Sequence, residues 1–63
     1  MLIVTTRKDG EEKNTVIIKS KIQAFQTDGA RLNIFVDGSI FSVCHDIDTV
    51  WGKLVKHFSA PNQ

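Results

Sequence analysis

Leu32-Asn33-Ile34-Phe35-Val36-Asp37-Gly38-Ser39-Ile40-Phe41-Ser42-Val43 is the stretch that decides the fold. Two alternating apolar runs flank Asp37-Gly38, and both turn residues tolerate the positive φ that a two-residue type I′ loop demands. The register follows: Val36 pairs with Ser39, Phe35 with Ile40, Ile34 with Phe41 and Leu32 with Val43. Paired residues share a face. One face therefore carries Leu32, Ile34, Val36, Phe41 and Val43, the candidate core. The other carries Asn33, Phe35, Ile40 and Ser42, polar except for the Phe35/Ile40 pair, which becomes the first candidate contact surface.

Downstream, Ile47, Val50, Trp51, Leu54, Val55 and Phe58 repeat at the spacing of one helical face, with Asp48, Thr49, Lys53 and Lys56 opposite. Asp46 suits the N-cap and Asp48 the positive end of the helix dipole, while Lys53, Lys56 and His57 suit the other end. Pro61 closes the helix, leaving residues 59–63 as a short flexible tail. Gly52 is out of place inside a helix, where it costs about 1 kcal/mol against alanine. It either admits a close neighbour or is tolerated in a well-anchored helix.

Upstream, Leu2-Ile3-Val4-Thr5-Thr6 reads as a first strand. The charged segment from Arg7 to Asn14, with a turn at Asp9-Gly10, reads as an exposed, mobile connection. Thr15–Lys19 and Lys21–Thr27 resume the strand signal. Val16, Ile18, Ile22 and Ala24 share one phase and Phe25 the other, so a bulge or a bend falls near Ser20-Lys21. Asp28-Gly29 turns the chain into the central hairpin. The expected fold is α+β: a small antiparallel β-meander of four to five strands with one C-terminal amphipathic helix packed on one face. Residues 1–58 form a single compact domain.

A chain of 63 residues that is 41% hydrophobic builds a core near the lower limit of independent folding, so a second chain is expected. Its net charge of +1 creates no global field toward nucleic acid or anionic membrane. The apolar start is too short for a signal-peptide core, and no run reaches membrane-spanning length. A soluble, cytoplasmic protein is expected, consistent with the single Cys44.

Cys44, His45, Asp46, Asp48 and His57 are the residues that invite a chemical reading. One cysteine with two histidines at opposite ends of a helix does not supply a converging zinc set, and consecutive residues leaving a strand point apart. Gly10, Gly29 and Gly38 each follow Asp in turns, not in a phosphate-cradling loop. No enzyme activity, metal, cofactor or small-molecule substrate is expected. Two surfaces remain. The apolar one is Phe35 and Ile40, extended by Phe25 or Ile17, which fits self-association as a dimer or a protein partner. The basic one is Arg7, Lys19, Lys21 and Arg31, which fits nucleic acid less well because Asp9, Glu11, Glu12 and Asp28 are interleaved.

Residues Ile17 to Phe58 resemble the FlbD family of small proteins encoded among bacterial flagellar genes. The resemblance rests on Ile22-Gln23-Ala24-Phe25, on Ile34-Phe35-Val36-Asp37-Gly38, on the strand ending in Val43 and on Val50-Trp51-Gly52-Lys53-Leu54. It implies a small regulatory or assembly-associated module without catalytic residues. Met1-Leu2-Ile3-Val4-Thr5-Thr6-Arg7 with Gly10-Glu11 is similar to the opening of CsrA-type translational regulators, and Ser42-Val43-Cys44-His45-Asp46-Ile47 to their strand-to-helix junction. That resemblance implies RNA binding across an intertwined dimer, with Arg7 matching one of the gripping arginines. At the strand-to-helix junction, however, His45-Asp46 stand where a basic residue is wanted. A third expectation, a phage- or plasmid-type inhibitor of a host protein, uses the same apolar surface as the first.

Overall fold

The computed structural model describes residues 1–59. Five strands, β1 (Leu2–Lys8), β2 (Glu11–Ile17), β3 (Ile22–Asp28), β4 (Arg31–Val36) and β5 (Ser39–Val43), precede one helix, α1 (Ile47–Ser59). The α+β class is as the sequence predicts. Asp37 and Gly38 both adopt positive φ, 47° and 79°, as a type I′ turn requires. β4 and β5 accordingly pair in the expected register, Phe35 opposite Ile40 and Ile34 opposite Phe41.

Asp9 and Gly10 repeat that turn, with φ of 53° and 80°. The segment from Arg7 to Asn14 is therefore not an open connection, because β1 and β2 run through it to the turn. Arg7 stands opposite Glu12 and Lys8 opposite Glu11. The alternating charges that read as a solvated loop are cross-strand pairs of opposite sign.

All strand pairings are antiparallel, and the sheet order is β2-β1-β5-β4-β3. β3 to β5 form a meander, and the first hairpin joins it through β1, where Thr6 pairs with Val43 and the Cys44 amide donates to the Thr5 carbonyl at 3.0 Å. This order leaves β2 and β3 at the two edges, although only residues 18–21 connect them. In a flat sheet those edges lie about 19 Å apart. A connection containing a 3-10 turn at Lys19–Lys21 reaches less than that. The sheet therefore coils, and Ile17 comes to line one cleft with Val36 and Phe41.

Inside the coil lie Leu2, Val4, Ile17, Leu32, Ile34 and Val43, closed over by Val50 and Leu54 of α1. Ile22, Phe25, Val36, Phe41 and Ile47 pack against them. Thr6 is also buried, and its hydroxyl exchanges a 2.7 Å hydrogen bond with that of Thr15, so burial leaves no unpaired polar group there. The change of phase between β2 and β3 uses both devices the sequence allows, the bend at Lys19–Lys21 and a register shift between Ile22 and Ala24.

The helix begins one residue after Asp46, whose carbonyl accepts from the Val50 amide at 3.0 Å. Asp46 holds φ of 52°, unlike the extended conformation usual at an N-cap. Only Val50 and Leu54 of the apolar stripe are buried; Trp51, Val55 and Phe58 remain over a third exposed. The Phe25 ring meets Trp51 edge-on at 5.2 Å and Phe58 at 5.8 Å. Among the described residues a methyl group placed on Gly52 would have no neighbour within 4 Å, and none of the five strands approaches the helix there. The helix reaches Ser59, and Pro61 with the rest of the expected tail lies outside the described residues.

Candidate functional site

Phe35 and Ile40 lie together on the outer face of the sheet, away from α1. Ile40 is 60% exposed, and Phe35, half-buried, has Ala24 opposite it on β3. Phe25 and Ile17 do not extend this surface. Ile17 pairs with Leu2, and both point inward. The register shift at Gln23 reverses the phase of β3, so Phe25 pairs with Ile34 on the core side and touches the helix.

A larger apolar surface lies at the other end of the sheet. Ile3 pairs with Val16 on the outer side of the first hairpin, 67% and 54% exposed. Met1 and Ile18 flank them, 80% and 51% exposed. Because Leu2 and Ile17 point inward, the paired Ile3 and Val16 face the opposite way, with the exposed Met1 and Ile18 at the adjoining strand ends. The signal was present in Leu2-Ile3-Val4 and Val16-Ile17-Ile18, near-continuous apolar runs of the kind found in strands covered on both faces. One helix covers only one.

Between the two apolar ends runs a polar strip. Ser42 donates to the Asn33 side chain at 2.9 Å. Further along, the Arg7 guanidinium donates to Glu12 Oε2, and His45 Nε2 lies 2.9 Å from Glu12 Oε1. The hydrogen bond from Arg7, followed by that from His45, holds the Glu12 carboxyl below its usual range, and the same contact raises Arg7. Cys44 adjoins this group, its thiol 3.6 Å from the Thr5 carbonyl oxygen. Sequence spacing placed Cys44 and His45 on diverging directions. The pairing of Arg7 with Glu12, joined to β5 through β1, instead brings a third chemical group to them, with Glu12, Cys44 and His45 offering ligand atoms within 4.8 Å of one another. His57 lies in the last turn of α1.

The four cations read as a basic surface do not converge. Arg7 is paired with Glu12, and Arg31 stands opposite Asp28 at the β3–β4 turn, at the far end of β3 from Lys21. Lys19 and Lys21 share the 3-10 turn but line different clefts. Lys19 instead lines a cleft with Lys53, Lys56 and His57, and among the described residues no carboxylate lines it.

No helix among the described residues is long and apolar enough to cross a membrane. No protein-family model matches the chain, and no curated protein or solved structure matches it. Fold and surface together define a small α+β module with one helix-covered face and one open face.

Proposed function

We propose that this chain is a small non-enzymatic binding module that self-associates through the outer face of its sheet. The observation that carries the reading is the block of Met1, Ile3, Val16 and Ile18, four large apolar side chains each more than half exposed on one hairpin. A cluster of that kind marks a protein contact, where an isolated exposed hydrophobe would need no explanation. A second copy is the occupant that answers two facts at once. Among the described residues the buried core numbers eight hydrophobic side chains, and a chain of 63 residues is close to the limit for independent stability. Packing two such blocks about a two-fold axis adds the missing layer, because the same patch serves both partners. Phe35 and Ile40 form a secondary contact on the same face. The reading agrees with the resemblance of Ile17–Phe58 to the FlbD family, and the single thiol agrees with a cytoplasmic setting.

Chemical cross-linking of the full chain tests it. Wild-type protein gives a cross-linked dimer whose yield drops at least tenfold in Ile3→Asp, while Ile40→Ser reduces it less. Equal yields in all three would exclude the hairpin face. A host-protein inhibitor acting through this block would appear as a monomer whose partner protects Ile3.

A second reading, binding of RNA or another phosphate polymer, is favoured by the cleft of Lys19, Lys53, Lys56 and His57. Contacts to phosphate predict affinity that falls steeply between low and physiological salt. Absence of RNA binding at low salt would remove it, as would affinity indifferent to Lys53→Glu with Lys56→Glu.

A further inference from the structure

Glu12 lies on β2, whereas Cys44 and His45 follow β5, so the fold alone brings them together. Their carboxylate oxygen, thiol sulfur and imidazole nitrogen all lie within 4.8 Å of one another. From this convergence we infer that Glu12, Cys44 and His45 bind one zinc-type divalent ion per chain.

The geometry is close to what such an ion requires. Zinc bonds of about 2.0–2.3 Å in a tetrahedron space neighbouring ligand atoms about 3.3–3.8 Å apart. His45 Nε2 and Glu12 Oε1, at 2.9 Å, already stand near that edge length. The sulfur has to close by up to about 1.5 Å, and it gives up only a weak 3.6 Å contact with the Thr5 carbonyl. A thiolate, an imidazole and a carboxylate select zinc or cobalt over magnesium or calcium, which favour all-oxygen sites.

The carboxylate is divided suitably. Oε1 faces His45 and Oε2 holds the Arg7 guanidinium. Arg7 then acts as the outer partner that fixes the carboxylate plane, a role such partners commonly fill around bound metals. Binding releases the Cys44 thiol proton and any proton held between His45 and Glu12 to solvent. The resulting thiolate and carboxylate balance the charge of the ion. Glu12 and His45 are both exposed, so water completes the fourth position. The site would tie the first hairpin to the β5–α1 junction, where the ladder between β1 and β5 is limited to the pairing of Thr6 with Val43.

Titration of the reduced full chain with Co(II) alone tests the inference. The expected result is saturation at one ion per chain, intense visible bands of a four-coordinate site and a near-ultraviolet thiolate-to-cobalt band, all abolished by Zn(II). Cys44→Ser removes the near-ultraviolet band, and Glu12→Gln and His45→Gln each weaken binding at least tenfold. Circular dichroism identifies any variant that fails to fold, and the wild-type spectrum is decisive without it. The inference is overturned by a pale six-coordinate spectrum, by half an ion per chain, or by binding that only Cys44→Ser affects, which would mean a single thiol acting alone.

Discussion

Ile3 stands directly opposite Val16 across the β1–β2 ladder, and both side chains face away from the core that their neighbours Leu2 and Ile17 fill. One hairpin is thus apolar on two sides, with a single helix to cover it. Truncation on the two sides should differ sharply. Leu54→Ala, at a fully buried position, is expected to cost about 2–5 kcal/mol in urea unfolding. Ile3→Ala should leave the unfolding free energy of the dilute monomer within about 0.5 kcal/mol of wild type. A large loss at Ile3 under those conditions would place it in a monomer core.

Gly52 lies inside α1 with open space around it. Gly52→Ala is expected to stabilise the chain by up to about 1 kcal/mol, by removing backbone freedom from the unfolded state and improving helix propensity. Thermal unfolding measures it. A lowered midpoint would mean that something approaches the helix at this point in solution.

Gly38 presents the opposite case, since its φ of 79° is strained for any side chain even though the space is free. Gly38→Ala should destabilise by about 1–2 kcal/mol. Asp37→Asn, in a turn that accepts Asn as readily, should be close to neutral. Chemical denaturation of the two variants distinguishes a turn effect from general intolerance at the hairpin.

The Glu12 carboxyl is lowered in the folded chain, chiefly by the hydrogen bond from Arg7. A lowered folded value means that the contribution is fully present above the ordinary glutamate value of 4.5 and is lost as pH falls through the lower folded one. In metal-free buffer, the stability difference between wild type and Glu12→Gln should therefore shrink on acidification below that point. A difference constant from neutral pH to the acid limit would show that Arg7 does not hold the carboxylate.

Much of this fold is legible in the sequence because its turns are chemically explicit. Asp37-Gly38 sets two adjacent positive φ angles, and from those the register of β4 and β5 follows without tertiary information. Asp9-Gly10 carries the same signal, but the charges around it mimic a solvated loop. Their pairing, Arg7 with Glu12, becomes visible only once the strands are placed side by side. The register shift at Gln23 has no strong local signature, and it alone moves Phe25 from the outer face to the core. The convergence of Glu12 with Cys44 and His45 depends on β1 lying between β2 and β5, a relation between distant segments that residue spacing does not encode. The block around Ile3 and Val16 was legible in principle, since strands apolar in both phases ask for two covering layers.

Sedimentation equilibrium on the full chain across a wide concentration range measures that second layer most directly. A dimer mass is expected for the wild type, and Ile3→Asp combined with Val16→Asp should give a single-chain mass with unchanged circular dichroism. A wild-type chain that remains a single-chain species at the highest concentration, with its Ile3 and Val16 amides and side chains unperturbed, would contradict the account.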